Sequence, residues 1–563
     1  MKKITLLLML CLLPGFIVLD AKTVYYVKVN GTGEGTSWNN ASGSIQEMID
    51  KAGTDDEVWV AAGTYYPTKK NNQIDERSKT FLLKNGVHLY GGFAGNEASI
   101  DKRIKSDRNG NGKIEAWEFT RETVLSGNID GVEDVWTKKE TSDGTNKGWY
   151  WKVSGNENNC YRVVTCYSSL SIDTRFDGFT VREGHHTNSS EGAGIYAQGK
   201  LTIANCEISR NMSVNTSSYN FAGGGGGIYY SVGSVGTTAM VNGCLITNNA
   251  VQASGKSHDA LGGGIYIAAG DMKNCIITDN STHSLNAWGG GVYLSGSSSS
   301  ASAYACIIYN NSCNASNLNI EKSSNALAAG GGIYSNTGNV KNCCVTNNHI
   351  FAYSDAGTAS CMGGGVYSSG TTKRNAYIDC STVVNNSVEN RSSSWTVSNY
   401  NIDENRNLSQ NFIRSTSFIG MALTGQQHLE LIQADWQLKV GSQYIDVTNA
   451  DDSWILNGTD LAGNPRVYNG KLDFGAYEYH GNSSGIKDLS QTNITLSANP
   501  AKDILSIRGL QVGEMLYFYN LNSQLILSHK ATGDIENIPI SHLSPGIYFV
   551  KVNNRQTLKW IKK

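Results

Sequence analysis

Proline and net charge are both scarce in this chain of 563 residues. It has only 6 Pro beside 62 Gly, a composition that indicates tight turns in an ordered structure rather than a disordered proline- and glycine-rich chain. The formal net charge is −2, so no basic field is available to hold nucleic acid or an anionic membrane surface. We therefore expect an ordered protein that does not bind nucleic acid.

Long apolar runs are also missing, except near the N-terminus. Lys2 and Lys3 precede an apolar stretch over residues 4–19, and Ala21 supplies a small residue for cleavage. A membrane anchor is the alternative, but the stretch is shorter than the ~20 residues that span a bilayer. We predict a signal peptide over residues 1–21 and hence an exported protein.

The chain has instead one pattern that occurs six times between Gly192 and Asn386. A glycine cluster with Ile-Tyr or Val-Tyr leads to a cysteine, which opens a short apolar run ending in asparagine. Successive units begin 27 to 41 residues apart. A unit this small cannot bury an apolar face alone and must stack on its neighbours, which predicts a solenoid. The cysteine-to-asparagine segments are residues 206–211, 244–249, 275–280, 306–311, 343–348 and 380–386.

The repeated segments predict the strands of a parallel β-helix. Cys206 and Ile208 alternate at period two, as do their equivalents in other units, so one face of each strand points inward. The closing asparagines can hydrogen-bond from rung to rung when parallel strands stack in register. We expect the variable segments that follow them to be loops projecting from one edge. The usual crossover preference of parallel strands predicts a right-handed helix.

Six cysteines occupy the same position of the repeat. Because cysteine behaves as a small apolar side chain when buried, this spacing predicts a ladder of free thiols rather than a disulfide framework. Oxidation of some stacked pairs after export is the alternative.

Residues 44–53 predict one amphipathic helix. Ser44 and Glu47 have the spacing of a capping box, and Gly53 would end the helix. Its apolar stripe consists of Ile45, Met48, Ile49 and Ala52. A helix in this place would cover the open end of the solenoid, where unpaired strand edges would otherwise aggregate.

Several segments resemble a known family. Residues 25–28, 33–38, 58–66 and 89–95, with the six half-motifs, resemble pectin-lyase-like right-handed β-helix proteins. More narrowly, they are similar to surface and outer-membrane proteins with polymorphic-membrane-protein-type repeats. That family usually has Phe where this chain has Cys. Residues 435–478 resemble the choice-of-anchor domain that often ends such helices, although Gln443-Tyr444 replaces the usual Ser-Pro.

The C-terminal region changes to short alternating strands after a polar linker. Residues 499–503, 516–522, 538–550 and 559–563 resemble the C-terminal sorting domain of the type IX secretion system of Bacteroidetes, a small Ig-like β-sandwich. The resemblance implies transport across the outer membrane by the type IX machinery and removal of the domain. Release or attachment to surface lipopolysaccharide would follow. An ordinary terminal Ig-like module is the alternative.

The predicted fold class is therefore all-β, a β-helix with an N-terminal capping helix and a C-terminal sandwich. After the signal peptide, residues 22–155 form the cap and first rungs, and residues 156–400 form the repeat body. Residues 401–480 end the β-helix, residues 481–492 form a linker, and residues 493–563 form the sorting domain.

The sharpest local motif is residues 107–118, which fit the twelve-residue calcium loop. Oxygen-bearing side chains occupy positions 1, 3, 5, 9 and 12 of that loop, and a glycine occupies position 6. We expect short helices over residues 98–104 and 116–121, and one structural Ca²⁺. A polar turn without metal is the alternative. The predicted ligands are Asp107, Asn109, Asn111, the Lys113 carbonyl, Glu115 and Glu118.

A second candidate feature is the tyrosine that follows each glycine cluster. If Ile195 and its equivalents face inward, period two places these tyrosines on the outer surface, where a stacked stripe could contact sugar rings or a protein partner. A self-stacking ladder covered by loops is the alternative. The six residues are Tyr196, Tyr229, Tyr266, Tyr293, Tyr334 and Tyr367.

Charged residues in the repeat body are few and scattered, which argues against a catalytic centre there. We interpret the densest group as structural and predict no catalytic and no cofactor-binding residue. The expected function is adhesion, or capture of a glycan or host protein, by an exported surface protein. A polysaccharide lyase or glycoside hydrolase is the alternative. That densest group is Arg175, Asp177, Arg182, Glu183, His185 and His186.

Overall fold

The structure, a computed structural model, describes most of residues 22–395, 445–480 and 494–563. The signal peptide predicted over residues 1–21, Cys380 and most of the segment 401–480 lie outside the described residues. The internal positions that are not described are 112, 143–146, 168–171, 188–190, 217–222, 232–238, 255–258, 296–300, 317–324, 337, 369–377, 380–381, 385–386, 447, 450–457, 463, 469, 474, 498, 511–512, 522–523 and 553–555.

An α-helix over Ile45–Lys51 closes the first rungs, as the sequence predicts. Ser44 caps it by accepting the Glu47 N–H, but the Ser44 N–H donates to the Ser42 hydroxyl, so the reciprocal bond of a capping box is replaced. All four residues of the predicted apolar stripe are buried in the main core. A short 3₁₀ helix precedes it at Trp38–Asn40, and two more follow at Glu76–Ser78 and Ile100–Lys102. None of the described helices has the length and apolarity needed to cross a membrane.

Four stacks of parallel strands form the β-helix, and successive rungs pair in register. Sheet 1 contains Val24–Val27, Glu57–Ala61, His88–Phe93, Thr174–Asp177, Leu201–Ala204, Ala239–Asn242, Gly270–Lys273, Ala301–Tyr304, Asn339–Lys341 and Ile378–Asp379. Sheet 2 contains Gly63–Tyr65, Thr123–Ser126, Thr180–Arg182, Glu207–Ser209, Leu245–Thr247, Ile276–Thr278, Ile307–Tyr309, Cys344–Thr346 and Thr382–Val384. Sheet 3 contains Lys79–Leu82, Val164–Cys166, Ile195–Ala197, Ile228–Tyr230, Ile265–Ile267, Val292–Leu294, Ile333–Ser335 and Val366–Ser368, with Lys69–Lys70 antiparallel at its edge.

The variable segments, which the sequence predicts to be loops, form the strands of sheet 4 in their described residues. That expectation is therefore wrong for these residues. The described parts of these segments are strands that pair with equivalent strands of neighbouring rungs, and residues 349–362 form one continuous strand. Small buried side chains pack together between the strands of sheet 4, including Ala287, Cys313 and Ala328. The strands are His185–Thr187, Met212–Asn215, Gly223–Gly224, Ala250–Ala253, Asp259–Leu261, Ser281–Ser284, Asn286–Trp288, Ser312–Ser316, Ala326–Ala329, His349–Met362 and Ser387–Trp395.

The inside of the β-helix is filled by the side chains that the alternation predicts. Cys275 and Ile277 are both fully buried, and the equivalent residues of neighbouring rungs lie above and below them. The glycine clusters make the return corner. Gly262 has a φ of +58°, and a Cβ on Gly263 would lie 2.3 Å from the Gly290 carbonyl oxygen. Only glycine fits both positions without strain.

Asparagine side chains form a buried ladder at the corner between sheets 2 and 4. The Asn249 amide donates to the Asn280 side-chain oxygen at 3.0 Å, and Asn280 donates to Asn311 at the same distance. Asn211 and Asn348 extend the ladder at its two ends. The predicted hydrogen bonding from rung to rung is therefore confirmed.

Inserted segments cover the outer faces of two sheets. An antiparallel hairpin, Val135–Ser142 with Lys147–Ser154, lies over sheet 4, where Trp149 and Trp151 pack against Met212. On sheet 2, Ala476 and Tyr477 pack against Ile307 and Cys344. The pair Thr448–Asn449 and Lys471–Leu472 belongs to the same covering segment.

A second compact unit spans residues 480–563, with a core of its own that includes Phe518 and Trp560. One sheet contains Thr495–Ser497, Ile504–Arg508 and Ile535–Pro539, and the other contains Met515–Asn520, Leu525–Lys530, Gly546–Val552 and Gln556–Lys562. All pairings within these sheets are antiparallel. This unit agrees with the predicted Ig-like sandwich.

The ladder thiols should be inert in the native protein. Ten of the chain's 12 cysteines are described, and all ten are buried and free. Burial raises the pKa of Cys275 well above its ordinary value, so almost no reactive thiolate forms at neutral pH. With a maleimide reagent, we expect labelling of these ten cysteines only in denaturant. Rapid native labelling of any of them would contradict the buried ladder.

Candidate functional site

A pocket of about 330 Å³ opens where the first strands of sheet 2 end. Ser126 and Arg182 end two neighbouring strands, and Arg210 directly follows the next one. Parallel strands stacked in register end at one edge, so residues far apart in sequence meet there. Tyr66, Asn128, Glu133, Asp134 and Glu183 also line the pocket.

Glu183 is the central charged group of this pocket. The Ser126 hydroxyl donates to its carboxylate at 2.5 Å, and the Arg210 guanidinium donates at 3.1 Å. The Arg182 guanidinium lies 3.6 Å away. Glu183 has a φ of +66°, but Arg210 and its equivalents at this corner are also left-handed. The backbone conformation therefore belongs to the corner and not to a special active-site strain.

Asp134 is the second carboxyl group in the pocket. The Asn159 amide donates to both of its oxygens, at 3.1 and 2.8 Å. Burial and the charge of Glu183 raise the pKa of Asp134 to about 6. The pocket thus contains one carboxyl group that holds a proton more readily than usual and a second one paired with guanidinium groups.

Sequence reasoning identified only part of this pocket. Arg182 and Glu183 stood out as charged residues, whereas Tyr66, Asp134 and Arg210 carried no motif. The signal that could have found Arg210 is its place directly after a sheet 2 strand.

The other members of the charged group have structural surroundings. Arg175 pairs with Asp177 at 2.6 Å on sheet 1. Burial lowers the pKa of His185 to about 4 and that of His186 to about 3, so both imidazoles are neutral at physiological pH.

The calcium-type loop is closed at its base by a bridge between Lys105 and Phe119. The expected helix over residues 116–121 is wrong, because these residues form a turn and a bridge. Residues 98–104 contain only the 3₁₀ helix Ile100–Lys102. Gly112 lies outside the described residues.

The predicted ligands of this loop are joined to one another and to the loop backbone by hydrogen bonds. The Asn109 and Asn111 amides donate to the two oxygens of Glu115 at 3.3 and 2.6 Å. Glu118 is buried and accepts three backbone N–H groups, including that of Asn109. Asp107 accepts the Gly110 and Asn111 N–H groups. This set of oxygen donors fits a hard cation such as Ca²⁺, and Lys113 directs its charge away, over the Tyr477 ring.

The six tyrosines form one continuous stack along sheet 3. Ring centroids of neighbours are 4.6–5.7 Å apart. The rings are buried or half-buried, and Trp288 from sheet 4 packs its ring edge-on against Tyr334. Arg162 covers the free face of Tyr196 at 3.7 Å. Because neighbouring rings cover one another's faces, a ligand would meet ring edges and hydroxyl groups. The binding stripe stays a prediction.

Comparisons with known proteins bear on the second unit. Residues 498–563 match the family model of the secretion system C-terminal sorting domain. The chain carries a type IX secretion sorting domain. This domain indicates association with the type IX secretion machinery and export to the cell surface or the extracellular space.

Two solved structures are similar to parts of the chain. Pectate lyase Pel9A is 12% identical, and the match covers 82% of this chain and 97% of that one with a TM-score of 0.37. PorZ of Porphyromonas gingivalis, an essential bacterial surface component of the type IX secretion system, is 16% identical. That match covers 14% of this chain and 13% of the PorZ chain, with a TM-score of 0.13. No curated protein matches the sequence. Similarity at these TM-scores assigns no activity to this chain.

The loop prediction is tested by calcium titration of Glu118→Ala. Loss of the twelfth ligand should weaken calcium binding at least about tenfold, since even outer-shell partners cost 10–100-fold. Isothermal calorimetry on the full chain would measure it, with Asp101→Ala as the control because Asp101 is an exposed nearby carboxylate. Absence of calcium binding at the loop in the wild-type protein would contradict the prediction.

Proposed function

We propose that this exported β-helix protein is a glycan-binding adhesin whose ligand occupies the pocket around Glu183. The observation that carries the proposal is the combination of a half-exposed aromatic ring with fixed polar groups in one cavity. Tyr66 is 51% exposed, while Arg182, Arg210 and Asp134 offer hydrogen-bonding groups beside it. Pockets that bind small ligands commonly combine apolar surface with a few placed polar groups.

The charges favour a neutral, hydroxyl-rich glycan over a polyanion. Three carboxyl groups line the pocket, Glu133, Asp134 and Glu183, against two guanidinium groups. Both guanidinium groups already lie beside Glu183. A uronate or sulfate would therefore meet an excess of negative charge, whereas sugar hydroxyl groups can both donate to carboxylates and accept from guanidinium groups.

The pocket supports this function better than the tyrosine stripe does. Tyr66 is more exposed than the rings of the stripe, whose faces are covered by their neighbours. We propose the stripe as a secondary contact surface, for a partner that hydrogen-bonds to its hydroxyl edge. We propose a glycan as the ligand of the pocket and a host protein as the partner of the stripe.

Truncation of Tyr66 tests the pocket directly. Tyr66→Ala should weaken binding of a glycan found by array screening by at least about 1 kcal/mol, or fivefold, as expected for an anchoring aromatic residue. Tyr468→Ala is the matched control, since Tyr468 is 40% exposed and does not line the pocket. Equal losses in both variants, or no glycan binding by the wild-type protein, would contradict the proposal.

Glycoside hydrolysis is the second candidate function, favoured by the two carboxyl groups of this pocket. Hydrolases need one carboxyl group that stays protonated and a second that is ionised. Asp134 has a pKa raised to about 6 and fits the first role. A lyase fits less well because both arginines lie beside the Glu183 carboxylate, so neither guanidinium is placed to act as a base. Release of new reducing ends that is lost in Asp134→Asn would favour hydrolysis over simple binding.

Surface delivery is the remaining part of the proposal. We propose that the sorting domain is removed after transport and that the β-helix is released or attached to lipopolysaccharide. Deletion of residues 493–563 should leave a folded β-helix in the periplasm, because each unit has its own core. Fractionation and surface proteolysis measure the outcome. Normal surface display of the truncated protein, or an intact C-terminus on the surface form, would contradict it.

A further inference from the structure

Three carboxyl groups converge near the end of the first unit. Asp446, Asp473 and Glu478 each offer an oxygen, and these oxygens lie within 4.8 Å of one another. Among the described residues, this is the one group of at least three His, Cys, Asp or Glu side chains that meets this criterion. Asp446 is exposed, whereas Asp473 and Glu478 are buried.

One oxygen of this group has no hydrogen-bond partner. Glu478 is 3% exposed, and its Oε1 atom is buried without a donor. Its Oε2 atom accepts the Asp473 N–H at 3.2 Å. Burying an acceptor without a partner is costly, and more so for a charged group. A bound cation would supply the partner that this oxygen lacks.

Neighbouring residues supply only part of the positive charge that would balance these carboxyl groups. The Arg466 guanidinium is 4.0 Å from Glu478 and also donates to the Asp473 and Gly475 carbonyl oxygens. Among the described residues, the ion pair of this group of three carboxyl groups joins Arg466 to Glu478. The fold thus brings together more negative charge than its own cation balances.

The remaining oxygens are oriented by the backbone. The Asp446 and Tyr479 N–H groups donate to the two oxygens of Asp473, at 2.7 and 2.5 Å. A carboxylate oxygen has a second lone pair, so Asp473 can accept these bonds and still coordinate a metal ion. Exposed Asp446 gives an ion a route in from solvent.

We propose that Asp446, Asp473 and Glu478 form a calcium site that is separate from the loop at residues 107–118. Ca²⁺ binds oxygen ligands at 2.3–2.6 Å, so ligands on opposite sides of one ion lie about 4.8 Å apart. Zinc favours nitrogen and sulfur ligands, and Mg²⁺ demands a near-ideal octahedron. An all-carboxylate group with one exposed member fits the more adaptable calcium ion.

The ion would fasten the covering segment of sheet 2. The Asn342 amide donates to the Asp473 carbonyl oxygen at 2.9 Å, and neighbouring Tyr477 packs against sheet 2. Calcium bound at Asp473 and Glu478 would hold this segment in place on the rungs that it covers.

Asp446→Asn is the informative variant, because it should leave the fold intact. Asp446 is exposed and has a φ of +57°, a conformation that Asn also tolerates. Calcium would be titrated by calorimetry into the full chain carrying Glu118→Ala, with and without Asp446→Asn. Glu118→Ala weakens calcium binding at the loop of residues 107–118. The calcium binding that remains in this variant therefore measures the site at Asp446, Asp473 and Glu478.

We expect one Ca²⁺ per chain in the background protein and at least about tenfold weaker binding once Asp446→Asn is added. Glu478→Gln should have the same effect, with circular dichroism as the check on folding. Unchanged calcium binding in Asp446→Asn would overturn the proposal. Absence of calcium binding in the background protein would also overturn it, and a proton on Glu478 would then balance the charge.

Discussion

The buried asparagine ladder is the interaction on which the rest of the structure depends. Each rung is short, and its strands have only three or four residues in most places. The Asn280 amide donates to the Ile246 and Thr278 carbonyl oxygens at 2.9 Å and to Asn311 of the next rung. One side chain therefore joins three successive rungs. A slip of one residue in register would leave these amides buried without partners, at a cost of several kcal/mol per rung.

The ladder also fixes the corner at which the candidate pocket forms. Arg210 directly precedes Asn211, and Glu183 occupies the equivalent corner one rung earlier. The Gly184 N–H donates to the Asn211 side-chain oxygen, so the backbone beside Glu183 is held by the first member of the ladder. The ion pair between Arg210 and Glu183 follows from this stacking. The same regularity aligns the tyrosines, whose ring spacing of about 5 Å is that of stacked parallel strands.

The fold of the repeat body can be predicted from the sequence because the patterns that determine it are local and periodic. Period two placed Cys275 and Ile277 inside, and Ser44 marked the start of the capping helix. The sequence predicts loops for the variable segments because their pairing partners lie in other rungs, and no short-range pattern encodes such pairing. The pocket was missed for the same reason, since Tyr66, Asp134 and Arg210 meet only through the stacking of distant segments. The three carboxyl groups at Asp446, Asp473 and Glu478 come together in the segment that covers sheet 2. No spacing in the sequence predicts that this segment packs there.

Removal of one ladder amide tests the central claim most directly. Asn280→Ala removes the oxygen that accepts from the Asn249 backbone N–H and side-chain amide, and it removes the amide that donates to the Ile246 carbonyl oxygen. This loss should cost about 2–4 kcal/mol. In urea unfolding of the full chain, we expect the β-helix transition to move to lower urea and that of the separate C-terminal unit to stay in place. Asn71→Ala, at an exposed asparagine, is the control. A β-helix transition that is the same in both variants would contradict the account.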